Sequence, residues 1–336
     1  MRVDYQKEIF DIIKRKIKGQ DTIGNVISEV LSISPDAAYR RYRGETLLTI
    51  YELEKLSKTF NISLDRLFQA NTNKVLFDIQ LLEEFDYSME PYLNSILQNL
   101  SVLKQQKVPR LTITHNNTPF LQLLNFPHLV RFKLFFWAKT HLQVDEYKDT
   151  LFKHDKIVDS TFQIGKEILQ AYNSIPSREL FDPELLRGFI REIYYYFNAH
   201  HFEDPKFALF LLDSLDRLID HMKAQAAVGK KFIFGTTPPA SGNEFELYYN
   251  ETLNSITSIQ YCAEDFEGLY LAHNFMNYIH TTDEAYIEDS KKVLEKQFAN
   301  SSMISVVNER ERNNYFFHLK NTVDNFRKKI ELELAI

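Results

Sequence analysis

The chain has 336 residues, a formal net charge of −6, and 44% apolar against 26% charged residues, the composition of a globular protein long enough for two or three domains. Nine glycines argue against a Gly-rich phosphate loop or a repetitive β architecture, and a single cysteine, Cys262, excludes an intrachain disulfide framework and any multi-thiolate metal site. The opening MRVDYQKEIFDIIKRKIK interleaves charge with apolar groups, and no stretch approaches the roughly 18–20 apolar residues of a membrane span, so a cytoplasmic location is expected.

Residues 5–17 carry Ile9, Phe10, Ile13 and Ile17 on one helical stripe. Asp21 or Thr22 can cap a second helix through Ile23, Ile27 and Leu31. A third is expected over Pro35–Arg43, with Ser34 as N-cap, Pro35 at the first position, Asp36 at the positive end of the dipole and Gly44 as the stop. Its Arg40, Arg41 and Arg43 concentrate positive charge within a mildly acidic chain. Residues 1–68 hold 12 Lys and Arg against 10 Asp and Glu, and the remainder 28 against 36, so the head is the basic part. A fourth helix fits Thr49–Phe60, with Ile50, Leu53, Leu56 and Phe60 inward. A last turn fits NISLDRLF, with Ser63 as cap and Leu64, Leu67 and Phe68 packing.

Five short helices with a tight turn between the second and third predict a helix-turn-helix domain, and Ser28, Ala37 and Ala38 are small where those two must approach. Residues 23–68 resemble the DNA-binding domain of Cro/C1-type (XRE-like) bacterial regulators. The landmarks are Leu31 and Ile33 before the turn, Ser34 at the cap, Arg43-Gly44, Thr49-Ile50, Leu53, Leu56, Lys58 and NISLDRLF. Two positions depart from the family pattern: Arg41 stands at an often apolar site, and Leu48 replaces the usual proline. Ala38 and Tyr42, an i, i+4 pair, are expected to face the core instead, leaving Arg40 and Arg41 outward. The resemblance implies double-stranded DNA as partner, with Asp36, Ala37 and Arg40 facing base edges and Ser34, the cap, among the DNA-binding residues. It further implies phosphate contacts from Arg41, Arg43 and backbone N–H groups near Gly24.

Past a polar linker at 69–75, a helical body is expected over 76–234, a loop at 235–243 (GTTPPASGN) and an α+β subdomain over 244–336. Met89, Leu93, Ile96, Leu100 and Leu103 repeat at 4-3-4-3, which suits a core helix or a dimer seam. Phe120–Leu142 reads as helices around Pro127, and further helices fit Ser160–Asn173, Pro183–Ala199 and Pro205–Gln225. FELYYN, SITSIQYC and GLYLAHN predict a small antiparallel meander over 245–273, followed by helices at Asp283–Phe298 and Asn308–Leu332. The fold class is therefore mainly α, a five-helix helix-turn-helix head on a large helical body that holds a small antiparallel sheet near its C-terminus.

The body carries no HExxH, Walker loop, GxGxxG or GxSxG, and neither catalysis, a metal nor a cofactor is expected. Some 260 residues exceed what DNA binding needs, which suggests a homodimer and a small-molecule or peptide effector. The pocket candidates are Tyr194, Tyr195, Tyr196, His273 and Arg310, between the helical part and the meander. These features predict a sequence-specific transcription regulator. The alternative is a protein-interaction module, antitoxin-like or a phage-type accessory factor, built on the same fold.

Overall fold

A computed structural model describes residues 4–17, 22–60, 62, 64, 67, 75–79, 89–153, 159–252, 256–264 and 266–335. The chain divides into two compact units, Met1–Lys74 and Val75–Ile336.

In the first unit, Asp4 caps α1 (Tyr5–Lys16) by accepting from the Lys7 N–H at 3.1 Å, and the helix buries Ile9, Phe10 and Ile13. Thr22 caps α2 (Ile23–Leu31); the alternative cap, Asp21, lies outside the described residues. The chain then reverses through Ser32, a left-handed residue at φ 57°, and Ile33, whose carbonyl accepts the Ser28 hydroxyl at 2.6 Å. That bond and the Ser32 N–H, shared between the Glu29 and Ser28 carbonyls in the last turn of α2, offset the unfavourable φ. Ser34 caps α3 (Pro35–Tyr42) with its hydroxyl 3.3 Å from the Ala37 N–H. Thr49 and Glu52 form a reciprocal capping box at the start of α4 (Ile50–Thr59). These caps are local, which is why the helix starts were readable. The core joins Phe10, Ile13, Ile27, Leu31, Ala38 and Leu56, with Ile62 and Leu67 completing it and Leu64 packed against it. Ser63, Phe68 and the linker at 69–74 lie outside the described residues. Tyr42 meets Phe10 edge-on at 5.8 Å, so Ala38 and Tyr42 do face inward. Ile50 does not: it sits at the first helical position and is 82% exposed, beside the equally open Leu47 and Tyr51.

The second unit is α+β, not a helical body with a β appendage. Its sheet has β1 (Asp78–Ile79), β2 (Arg110–His115), β3 (Ser177–Phe181), β4 (Phe245–Tyr249), β5 (Ser258–Ala263), β6 (Phe266–Ala272), β7 (Tyr278–Thr281) and β8 (Ser302–Met303). Among the described residues they run in the order β1-β7-β6-β5-β2-β3-β4-β8. β2, β3 and β4 are parallel, which requires helical crossovers; β5, β6 and β7 form the antiparallel meander. Two expectations change. Phe245–Tyr249 is not part of the meander but pairs with β3 and β8, and strands from both sides of the 235–243 loop share one sheet.

The helices are α5 (Met89–Lys104), α6 (Phe120–Leu123), α7 (Pro127–Phe136) running into a π-helical turn (Trp137–His141), α8 (Asp159–Ser174), α9 (Arg187–Asn198), α10 (Phe207–Val228), α11 (Glu284–Ala299) and α12 (Glu309–Leu334). One face of the sheet, through Leu111, Ile113, Phe181, Phe245, Leu247 and Tyr261, joins the large core with α5 to α10 and α12. The alternate residues Leu180 and Tyr248 point the other way and take Leu294 and Phe298 of α11. Leu93, Leu100 and Leu103 of α5 are buried in that core, so the 4-3-4-3 repeat is a core stripe. Among the described residues no helix is long and apolar enough to cross a membrane.

Candidate functional site

The third helix is held by its inner face and leaves one narrow stripe in solvent. Gly24 is buried in α2, where a Cβ would overlap the Tyr39 ring of α3; its lack of a side chain lets the two helices approach. Ala38 is fully buried on the same inner side. Gln6 of α1 spans the exit from the helix, donating to the Arg41 and Thr46 carbonyls at 2.8 Å each and accepting from the Leu48 N–H at 2.9 Å. Neither Gln6 nor Tyr39 stands out in the sequence, because each acts through residues far along the chain or on another helix.

Arg41 overturns the expectation that it faces outward. Its guanidinium reaches across to α4, with Nε 2.8 Å and Nη2 2.6 Å from Glu52 Oε1, and Nη1 donates to the Ala37 carbonyl at 3.2 Å. The two side chains are only 16% and 14% exposed. Burial works to raise the Glu52 pKa, but the Arg41 hydrogen bond and charge and the Thr49 N–H outweigh it and hold the carboxyl below its ordinary value. Arg41 ties the third helix to the fourth.

Arg40 and Arg43 remain open, at 52% and 54% side-chain exposure. Arg40 Nε lies 3.4 Å from the exposed Asp36 carboxylate, and Arg43 Nε 2.9 Å from Glu45. Such exposed pairs are worth under about 1 kcal/mol, so they do not tie the arginines down. Residues 36, 40 and 43 stand four and three apart, so Asp36, Arg40 and Arg43 form one solvent-facing stripe, with the half-buried Ala37 beside it and Ser34 exposed at its start.

In the second unit the five predicted pocket residues are not brought together. Tyr196 is fully buried and bonded to the Thr140 hydroxyl at 2.8 Å; Tyr195 is exposed; Tyr194 donates to Glu333 at 2.9 Å and packs on Phe326. His273 and Arg310 are exposed on a turn and a helix start. Arg312, two residues on, is the buried one, donating to the Ile304 and Val307 carbonyls at 3.0 and 3.1 Å.

A cavity does lie between helix and meander, elsewhere than those residues. It measures about 510 Å³ and opens between α5 and strands β2, β5, β6 and β7, walled by Ile96, Leu103, Ile113, Ile259, Tyr261 and His280 among others. His280 Nε2 is 2.9 Å from the Tyr261 hydroxyl and Nδ1 3.6 Å from Asp78 Oδ2. Burial lowers the His280 pKa against the opposing pull of Asp78, so the ring is neutral at pH 7. A smaller cavity of about 220 Å³ adjoins it at the end of β2, beside the Lys133–Glu192 pair, where Lys133 Nζ is 2.7 Å from both carboxylate oxygens.

A buried polar cluster sits on β3. Glu179, fully buried, accepts from Tyr172 at 2.5 Å and Ser177 at 2.8 Å and lies 2.9 Å from His115 Nε2. Lys231, also fully buried, stands 3.8 Å over the Tyr172 ring, and burial pushes its ammonium down to about 7 against the pull of Glu179. Glu179, Tyr172 and Lys231 line neither of these cavities, but His115, bonded to Glu179, lines the smaller one. Cys262 is half-buried, and burial raises its thiol pKa, away from a reactive thiolate. Among the described residues no group of three or more His, Cys, Asp and Glu is placed to hold a metal ion. No family model matches this chain, and no curated protein or solved structure matches it either.

Proposed function

We propose that the protein is a sequence-specific DNA-binding regulator whose first unit reads the major groove with α3, and whose second unit pairs two copies and takes an effector. The observation that carries the reading is the Asp36–Arg40–Arg43 stripe: two open guanidinium groups on a helix fixed from behind by Gly24–Tyr39, Ala38 and Arg41–Glu52. In that reading Arg40 donates to O6 and N7 of a guanine, with Asp36 and Ala37 beside it at base edges, and Arg43 holds a phosphate. Arg41 has no DNA contact and positions the helix instead. A monomer would cover few bases, so two copies on half-sites about 34 Å apart complete the contact set.

A second reading has its own support. Leu47, Ile50 and Tyr51 expose large apolar side chains beside α3, which suits a protein partner on that corner of the head. Selection of bound sequences from random duplex DNA with the full chain separates the two. Enrichment of a motif with twofold symmetry is the expected result; recovery of unselected sequence at every round would remove the DNA reading and leave the protein-contact one.

A further inference from the structure

We propose that the 510 Å³ cavity binds a neutral, largely hydrocarbon ligand bearing one hydroxyl group, and that the strand through which the chain enters the body is part of its wall. The effect on DNA rests on the regulator reading above; the binding does not.

The size suits a drug-sized molecule, since ligand pockets run about 300–1,000 Å³. Its walls are mostly aliphatic and aromatic, and among the described residues no Lys or Arg lines it. Among the described residues Asp78 is the one carboxylate at its edge and no cation faces it, so an anion would meet one like charge and no countercharge from them. Anions are thereby disfavoured.

The polar end is a relay from Asp78 through His280 to Tyr261. A carboxylate facing Nδ1 selects the tautomer with its proton there, which leaves Nε2 to accept the Tyr261 hydroxyl at 2.9 Å. With its proton committed to His280, the Tyr261 oxygen has lone pairs to offer and no hydrogen. The group that satisfies it is a donor, hence the hydroxyl.

The strand follows from register. Asp78 pairs with His280 and Ile79 with Ile279, and both β1 residues line the cavity. Thr281 donates to the Leu76 carbonyl at 2.8 Å, and Phe77 meets Tyr286 edge-on at 5.5 Å, so residues 76–79 are docked on β7 and α11. With Val75 they are the first described residues after the boundary between the units at Lys74. A ligand that holds the His280 relay in place holds β1 against β7. For occupancy to change DNA affinity, the DNA-competent state must differ from the incompetent one in this docking.

The test uses the full chain with 1-decanol, decanoate and 1-methoxydecane as probes. Trp137, the chain's only tryptophan, packs against Tyr92 and Phe120, both cavity residues, and its emission reports entry. Decanol is expected to saturate, to bind about 5–10-fold more tightly than its methyl ether, for one lost hydrogen bond, and to exceed decanoate. Tyr261→Phe should bring alcohol and ether to equal affinity, a change that loose packing alone would not make, and Ile96→Trp should block all three. Slower amide exchange over residues 75–79 and 278–281 with decanol is expected. No saturable change with decanol, a preference for decanoate, or an alcohol preference surviving Tyr261→Phe would overturn the ligand class. Binding with unchanged exchange at 75–79 would overturn the strand's part. If decanol binds and shifts that exchange yet no DNA motif is selected, the regulator reading fails and the site stands.

Discussion

Replacing Arg41 by Met tests whether the third helix is fastened from inside. The substitution keeps length and apolar stem but removes two donors at 2.6 and 2.8 Å from Glu52 Oε1 and one at 3.2 Å from the Ala37 carbonyl. Exposed ion pairs give under about 1 kcal/mol, and breaking a fully buried one costs about 3–5 kcal/mol. At 16% and 14% exposure this pair lies between, and we expect a loss of about 2 kcal/mol from the head. Glu52→Gln keeps an oxygen for the Thr49 N–H and loses the charge, so about 1.5 kcal/mol is expected, with a coupling of about 1 kcal/mol in the double variant. Arg40→Met should change stability by no more than about 0.5 kcal/mol. Amide hydrogen exchange across Ile50–Thr59 in the full chain reads the difference: 2 kcal/mol speeds exchange about 30-fold. Because the Glu52 carboxyl titrates below its ordinary value in the folded chain, the stabilisation is present at neutral pH and disappears as pH falls through that depressed value. Arg41→Met behaving like Arg40→Met, with no coupling to Glu52, would refute the reasoning and return Arg41 to the outer face.

Gly24→Ala should cost about 1–3 kcal/mol through overlap with the Tyr39 ring, and Tyr39→Leu in that background should restore part of it; urea denaturation of both variants checks this. His221, buried and 3.0 Å from the Phe232 carbonyl, has its pKa lowered from 6.5 to about 4 by burial. The folded ring therefore resists protonation, and up to about 3 kcal/mol of stability present above pH 6.5 is lost as pH falls to about 4; a His221→Gln variant should lack that acid limb in a melting-temperature profile. Tyr196→Phe should cost about 1 kcal/mol for the lost bond to Thr140 and leave probe binding in the cavity unchanged, as a core residue would.

What the sequence made legible was local. Ser34-Pro35 and Thr49 with Glu52 announce their helices within four residues, and the apolar stripes of α1, α5 and α12 carry the 3.6 period that buries them. What it hid was pairing at a distance. Arg41 reads as one more surface cation until Glu52, eleven residues on, is seen beside it. β3 reads S-R-E-L-F, and a fully buried Glu179 in its middle masks a central strand whose partners lie near residues 111 and 245. The aromatics at 194–197 follow one another along a single helix. Neighbours on a helix point about 100° apart, so they could not share one wall, and only Tyr196 and Phe197 are buried. The cavity itself is assembled from residues between Asp78 and His280, and no short window of sequence contains it.

The most direct test of the DNA reading compares wild type and Arg40→Ala on the selected duplex and on a scrambled one, by binding titration at fixed salt. Loss of one bidentate base contact is worth about 1–3 kcal/mol, so affinity for the selected site should fall about 5–150-fold while the scrambled duplex changes far less. Equal binding of both proteins to both duplexes would contradict the account.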